Sequence, residues 1–257
     1  MATQSTAPAP QTRTGAGRVV AIILGTIVVL LGVIWLLATA LQSEGNLQES
    51  FGPVERVTIR TNGHVDIRPG ESTEVNVDRR WVLRQPEVSM SDEGGELRVI
   101  AECGWFGIRC RANVSATVPA DAEVIVETSV GTVTVEGMAG GADVTTSAGG
   151  VEVDVTGPVV LHTSAGSVRG TVRDGDVDAA TSAGSVDLEV LGEFTRISAV
   201  TSAGQVRLRV PDDAYRVDAD TSAGDITTNV ATDPDAERDI YARSSAGSIT
   251  IDRTRDG

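Results

Sequence analysis

From about residue 121 onward, apolar and polar residues alternate in short runs, and each run breaks at a glycine. Val177, Ala179, Thr181 and Ala183 fall on one face, while Asp178, Ala180 and Ser182 fall on the other. After Gly184 the alternation resumes, with Val186, Leu188 and Val190 set against Asp187 and Glu189. The same template fits Ile197, Ala199, Thr201 and Ala203, then Val206, Leu208 and Val210; it fits again from Val217 to Val230. Period-two alternation over β-branched residues predicts strands with one buried face.

The breaks share a sequence. Thr-Ser-Val-Gly at 128–131 is followed by Thr-Ser-Ala-Gly ending at Gly149, Gly166, Gly184, Gly204 and Gly224, and by Ser-Ser-Ala-Gly ending at Gly247. Successive copies start 18, 17, 18, 20, 20 and 23 residues apart. In this reading Gly131, Gly149, Gly166, Gly184, Gly204, Gly224 and Gly247 bend the chain between two strands. The threonine and alanine face inward, and the serines form an outward column. So short a unit cannot bury its apolar face alone, so the spacing predicts stacked parallel turns, a β-solenoid over 121–253. The competing arrangement makes each Ala-Gly a tight antiparallel hairpin, giving a meander or sandwich.

Upstream, Thr61-Asn62-Gly63 within 57–68 is a degenerate copy, and 74–83, 96–101 and 112–118 read as less regular strands. Residues 54–120 are therefore expected to be an irregular β cap, joined to what precedes by a linker at 42–53. Cys103 and Cys110 enclose Gly-Trp-Phe-Gly-Ile-Arg. In an exported chain an even pair at this spacing predicts a disulfide. Trp105 and Phe106 lie inside that loop, either as a contact surface for a partner or as a cover for one end of the stack.

Residues 19–41 are uncharged and mostly apolar. As a helix they would rise roughly 35 Å, enough to cross a bilayer core. Arg13 and Arg18 precede the run, and Glu44 and Glu49 follow it. The positive-inside rule then places 1–18 as a disordered cytoplasmic tail and the rest outside the cell membrane, a single-pass topology. A cleaved signal peptide ending near Ala38-Thr39-Ala40 is the alternative, and it too exports the remainder.

Composition narrows the function classes. Aromatics are 3% of the 257 residues, so any core rests on Val, Ile, Leu and Ala. The net charge is -15, and every acidic residue lies after position 41. Such a surface repels phosphate backbones and excludes nucleic acid as a partner. No catalytic grouping, cofactor or metal site is expected. His64 and His162 sit on unrelated patterns, and the repeat serines are explained by recurrence rather than by a Ser–His–Asp arrangement. Asp218, Asp220 and Asp225 form the densest outward set of carboxylates, without the aromatics a polysaccharide-cleaving site would use.

The run Val118-Pro119-Ala120-Asp121, a strand, and repeated Thr-Ser-Ala-Gly-x-Val resemble a bacterial β-strand-repeat family described as "putative adhesin", of unknown function. The resemblance covers about residues 55–252, and the flanking elements match as well: an N-terminal membrane segment and a short cysteine loop upstream of the repeat. It implies a right-handed parallel β-helix-like fold at the cell surface. The expected role is a non-enzymatic, membrane-tethered module for adhesion or envelope scaffolding, with a cell-wall glycan or envelope protein as partner. The alternatives are an envelope-stress sensor acting through a membrane partner and, more remotely, a carbohydrate-active enzyme.

Overall fold

A computed structural model describes residues 23–33, 35, 42–82, 84–104 and 110–254. The chain divides into two units, Met1–Gln42 and Ser43–Gly257. In the first, residues 23–33 are helical. Among the described residues no helix is long and apolar enough to cross a membrane. Positions 19–22, 34 and 36–41 of the expected span lie outside them, as do Trp105 and Phe106.

The second unit is all β. Its first part holds β1 (Gln42–Phe51), β2 (Arg56–Thr61), β3 (Val65–Pro69), β4 (Thr73–Val82), β5 (Glu87–Glu93), β6 (Glu96–Glu102) and β7 (Arg111–Val118). Then come β8 (Glu123–Val130), β9 (Val133–Met138), β10 (Ala142–Ala148), β11 (Val151–Thr156), β12 (Val159–Ala165) and β13 (Val168–Arg173). They are followed by β14 (Val177–Ala183), β15 (Val186–Leu191), β16 (Arg196–Ala203) and β17 (Val206–Val210). The last are β18 (Ala214–Thr221), β19 (Ile226–Thr228), β20 (Ala231–Thr232), β21 (Asp239–Ala246) and β22 (Ile249–Arg253).

These strands form two mixed sheets of eleven. One runs β1-β4-β7-β3-β9-β11-β13-β15-β17-β22-β19, the other β20-β18-β21-β16-β14-β12-β10-β8-β2-β6-β5. Each glycine corner joins a strand of the second sheet to one of the first, and each such pair is a rung. Rungs from β8/β9 onward pair with their neighbours in parallel, threonine against threonine: Thr146 opposes Thr163, Thr163 opposes Thr181, and Thr181 opposes Thr201. Hairpin pairing at the Ala-Gly positions is thus absent from the repeat among the described residues. Antiparallel pairing occurs in the first part, between β4 and β7 and between β5 and β6.

The core lies between the sheets. In rung β14/β15, Val177, Ala179, Val186, Leu188 and Val190 are all at most 2% exposed. Burying a valine or leucine fully contributes about 1.5–3 kcal/mol, so each rung is held mainly by its contact with the rungs above and below.

Two features depart from the sequence expectation. The stretch at 42–53, expected as a linker, carries β1, whose Leu47 and Phe51 pack against the core. The alanine of the motif faces outward, not inward: Ala148, Ala165, Ala183, Ala203 and Ala246 are exposed, beside exposed serines. Alternation stops at the corner because the chain turns there, so the inside column ends at threonine. This also accounts for Val130, the one large residue at the alanine position, which is 46% exposed.

Rung order also differs from chain order at both ends. The Gly63 rung, β2/β3, sits between β6/β7 and β8/β9. At the other end the seventh copy, β21/β22, inserts between the fifth, β16/β17, and the sixth, β18/β19. Tyr215 fills the space this crossing creates. It is fully buried, stacks on Phe194 at 5.6 Å and donates its hydroxyl to the Pro211 carbonyl at 2.8 Å. Arg238 lies over the Phe194 ring at 5.4 Å and pairs with Glu193 and Asp213.

Candidate interaction surface

The corner explains why the motif holds these four residue types. All seven repeat glycines, Gly131, Gly149, Gly166, Gly184, Gly204, Gly224 and Gly247, have φ between 137° and 158°. A Cβ on any of them would lie 1.9–2.5 Å from the carbonyl oxygen of the glycine in an adjacent rung. Conformation and clearance both demand glycine.

The threonine closes the corner from inside. Thr163 donates its hydroxyl to the Gly149 carbonyl, Thr181 to Gly166 and Thr201 to Gly184, at 2.9–3.1 Å. Thr128 reaches Gly63, Ser244 reaches Gly204 and Thr221 reaches Gly247, at 2.9–3.0 Å. These bonds follow the spatial order of the rungs, not the chain order. Thr146 breaks the pattern, its buried hydroxyl having no partner.

The Cys103–Cys110 disulfide is formed, with Cα atoms 5.9 Å apart. It joins β6 to β7, so it occupies the corner position that a Thr-Ser-Ala-Gly holds elsewhere. Asn62 takes the serine position of the neighbouring rung. Its amide nitrogen lies 2.9 Å from Cys103 Sγ and 3.1 Å from the Cys110 carbonyl, and its oxygen accepts from Ala112 N–H. Beside this corner lies an open groove of about 610 Å³, lined by Arg60, Asn62, Glu102, Glu127, Ser129 and Ser147 among others. Arg60 and Glu127 pair across it at 2.8 Å, which raises the guanidinium above its ordinary pKa.

The two outer faces differ in charge. On the β11–β17 side, Glu152, Asp154, Arg169, Arg173, Asp187, Glu189, Arg207 and Arg209 point outward, with Asp187 3.5 Å from Arg207 and 3.3 Å from Arg209. On the matching rungs of the other sheet the outward residues are Asp143, Thr145, Val160, His162, Asp178, Ala180, Arg196, Ser198 and Val200, flanked by the serine and alanine columns. Asp143, Asp178 and Arg196 carry the fixed charges there, Asp178 lying 3.9 Å from His162 Nε2. The serine column is therefore the rim of a strip that carries fewer charged side chains than the opposite face.

The sequence-proposed carboxylates are not gathered. Asp218 and Asp220 point outward from β18, Asp220 facing Arg243 at 3.6 Å, and no group of three metal-ligating side chains occurs among the described residues. His64 accepts the Thr132 N–H through Nδ1 at 2.9 Å, a bond that ties two neighbouring corners. The sparsely charged strip is what sequence reading missed: alternation gives its residues, but only the register sets them side by side.

No protein-family model matches the chain, and no curated protein matches it. Among solved structures, it is similar to one titled a putative adhesin from Bacteroides fragilis, at 11% identity and a TM-score of 0.49, over 82% of this chain and 97% of that one. It is also similar to a putative cell adhesion protein from Clostridium sporogenes, at 11% identity and a TM-score of 0.39, over 82% and 100%. A third, titled a putative lipid binding protein from Parabacteroides distasonis, has 12% identity and a TM-score of 0.39, over 83% and 97%.

Proposed function

We propose that this chain is a non-enzymatic, membrane-tethered surface module whose β unit is a right-handed solenoid presenting a binding face. Rung-by-rung parallel pairing in both sheets supports the solenoid. Its hand follows from the general preference of parallel crossovers. The apolar run at 19–41, with Arg13 and Arg18 before it, supports a single-pass anchor with the β unit outside.

The observation that carries the binding role is the sparsely charged strip with its exposed serine column. Hydroxyls repeating every rung, roughly 4.8 Å apart, offer regular donors and acceptors to a polymer with its own regular hydroxyls. A cell-wall glycan has that chemistry. The test is retention of the detergent-solubilised full chain on cell-wall polymers and immobilised glycans. Binding that is lost in S182R/S202R, and kept when sheet charges opposite are neutralised in E152Q/E189Q, is the expected result. Absence of retention on every polymer, or retention indifferent to S182R/S202R, would overturn the assignment.

A further inference from the structure

The sixth copy, β18/β19, ends the stack, and its inward columns are left partly open. Val217, Ala219 and Thr221 lie in register with the buried Ile240, Ala242 and Ser244, while Ile226 is in register with the buried Ile249. Ile226 is nonetheless 44% exposed. The backbone is open on the same side. Arg216 and Ser222 send their N–H groups to Arg238 and Ser244 of the inner neighbour, whereas the Tyr215 carbonyl faces outward and accepts from Asp233. Strand parity therefore points the N–H and C=O of Val217, Ala219 and Thr221 away from the stack. Among the described residues no strand pairs with that edge beyond Tyr215.

A further sign of a missing layer is at the corner. The carbonyls of Gly63, Gly149, Gly166, Gly184, Gly204 and Gly247 each accept a threonine or serine hydroxyl from the next rung. Among the described residues none reaches the carbonyl of Gly224; the Gly131 carbonyl also lacks one, but there the facing hydroxyl, Thr146, is present and unpartnered. The outward charges then select the occupant. Asp218 and Asp220 point outward along β18 beside this edge, and among the described residues Asp220 alone of the two has a salt-bridge partner, Arg243 at 3.6 Å. A second copy added through β18 would set these acids against their own counterparts, and like charges directly opposite destabilise a strand pair.

We propose that the outer edge of β18 is a strand-addition site for a segment of a partner protein. That segment has small or β-branched residues, including a threonine or serine, at its inward positions and Arg or Lys at its outward ones. Main-chain bonds supply affinity and the alternating side chains supply selection. The site is separate from the sparsely charged strip and stands whether or not that strip binds glycan.

The test uses the full chain and a fluorescent synthetic peptide with the sequence Ala214–Gly224 carrying D218R and D220R. Saturable binding that weakens with salt is expected, with the unchanged acidic peptide at least about tenfold weaker. In the protein, Ala219→Pro removes an edge-facing donor without touching a bond to β21, and should weaken binding more than about tenfold. D218N/D220N, which leaves the backbone intact, should weaken it severalfold even if the proline disturbs β18. Absence of saturable binding, or binding unchanged in D218N/D220N, would overturn the proposal. So would sedimentation showing the chain pairing with itself through this edge.

Discussion

Replacing Gly184 by alanine adds one methyl group at the tightest point of a central rung. That carbon would lie 1.9 Å from the Gly166 carbonyl oxygen and 2.5 Å from its carbon, at a φ of 156°. A carbon–oxygen contact needs about 3.3 Å, so the corner must open by at least about 1.4 Å. The bonds at risk are Gly184 N–H to Ala203 at 3.0 Å, Gly166 N–H to Ala183 at 2.9 Å, and Thr201 to the Gly184 carbonyl at 2.9 Å. Holding alanine in that backbone region costs about 1–3 kcal/mol, and losing two of the bonds about 1 kcal/mol each, giving about 3–5 kcal/mol. Gly94→Ala is the control. Its φ is also positive, at 63°, yet nothing lies within 4 Å of the added carbon, so only about 1 kcal/mol is expected. Urea unfolding followed by far-ultraviolet circular dichroism on both variants separates clearance from conformation. A Gly184→Ala cost no larger than that of Gly94→Ala would refute the packing argument.

Thr201→Val removes a hydroxyl that satisfies a corner carbonyl and should cost about 1–3 kcal/mol by the same assay, whereas Thr146→Val removes an unpartnered one and should be neutral or stabilising. Replacing Cys103 and Cys110 together by alanine should lower stability by about 2–3 kcal/mol, read from the urea midpoint against the oxidised parent. Burial pushes the Tyr215 phenol above its ordinary pKa, more than Arg238 draws it down. The unfolded chain therefore loses that proton first, and stability falls as pH rises above about 10. Tyr215→Phe should flatten that alkaline loss in melting curves taken across the range, and an unchanged slope would assign the loss to other groups.

The period and the face of each strand were legible because they follow from local demands. The corner admits only glycine, the buried hydroxyl must find a carbonyl, and β-branched residues recur every second position. Alternation misled once, at Ala183 and its equivalents. Extrapolating it through a corner assumes the strand continues, and the chain has already turned there. Rung order was not legible. Spacings of 20 and 23 residues suit direct stacking as well as the insertion of β21/β22, and the difference rests on the loop at 229–238 and on Tyr215 meeting Phe194. Asn62 could have been noticed as the odd residue in a serine column. Its partners, Cys103 and Cys110, lie 41 and 48 positions away. The sparsely charged strip belongs to the same class, since each of its residues is ordinary alone and only the register assembles them.

Parallel stacking in the order fifth, seventh, sixth copy is tested most directly by oxidative cross-linking of paired cysteines in the serine column. Thr201 opposes Ser244 and Ala203 opposes Ala246, which sets Ser202 beside Ser245. The double variant S202C/S245C should form an intramolecular disulfide readily, seen by mass spectrometry after digestion. S202C/S222C, two rungs apart at roughly 10 Å, should not. Ready cross-linking of S202C/S222C with none in S202C/S245C would mean the copies stack in chain order, and failure of both would contradict parallel stacking at this end of the repeat.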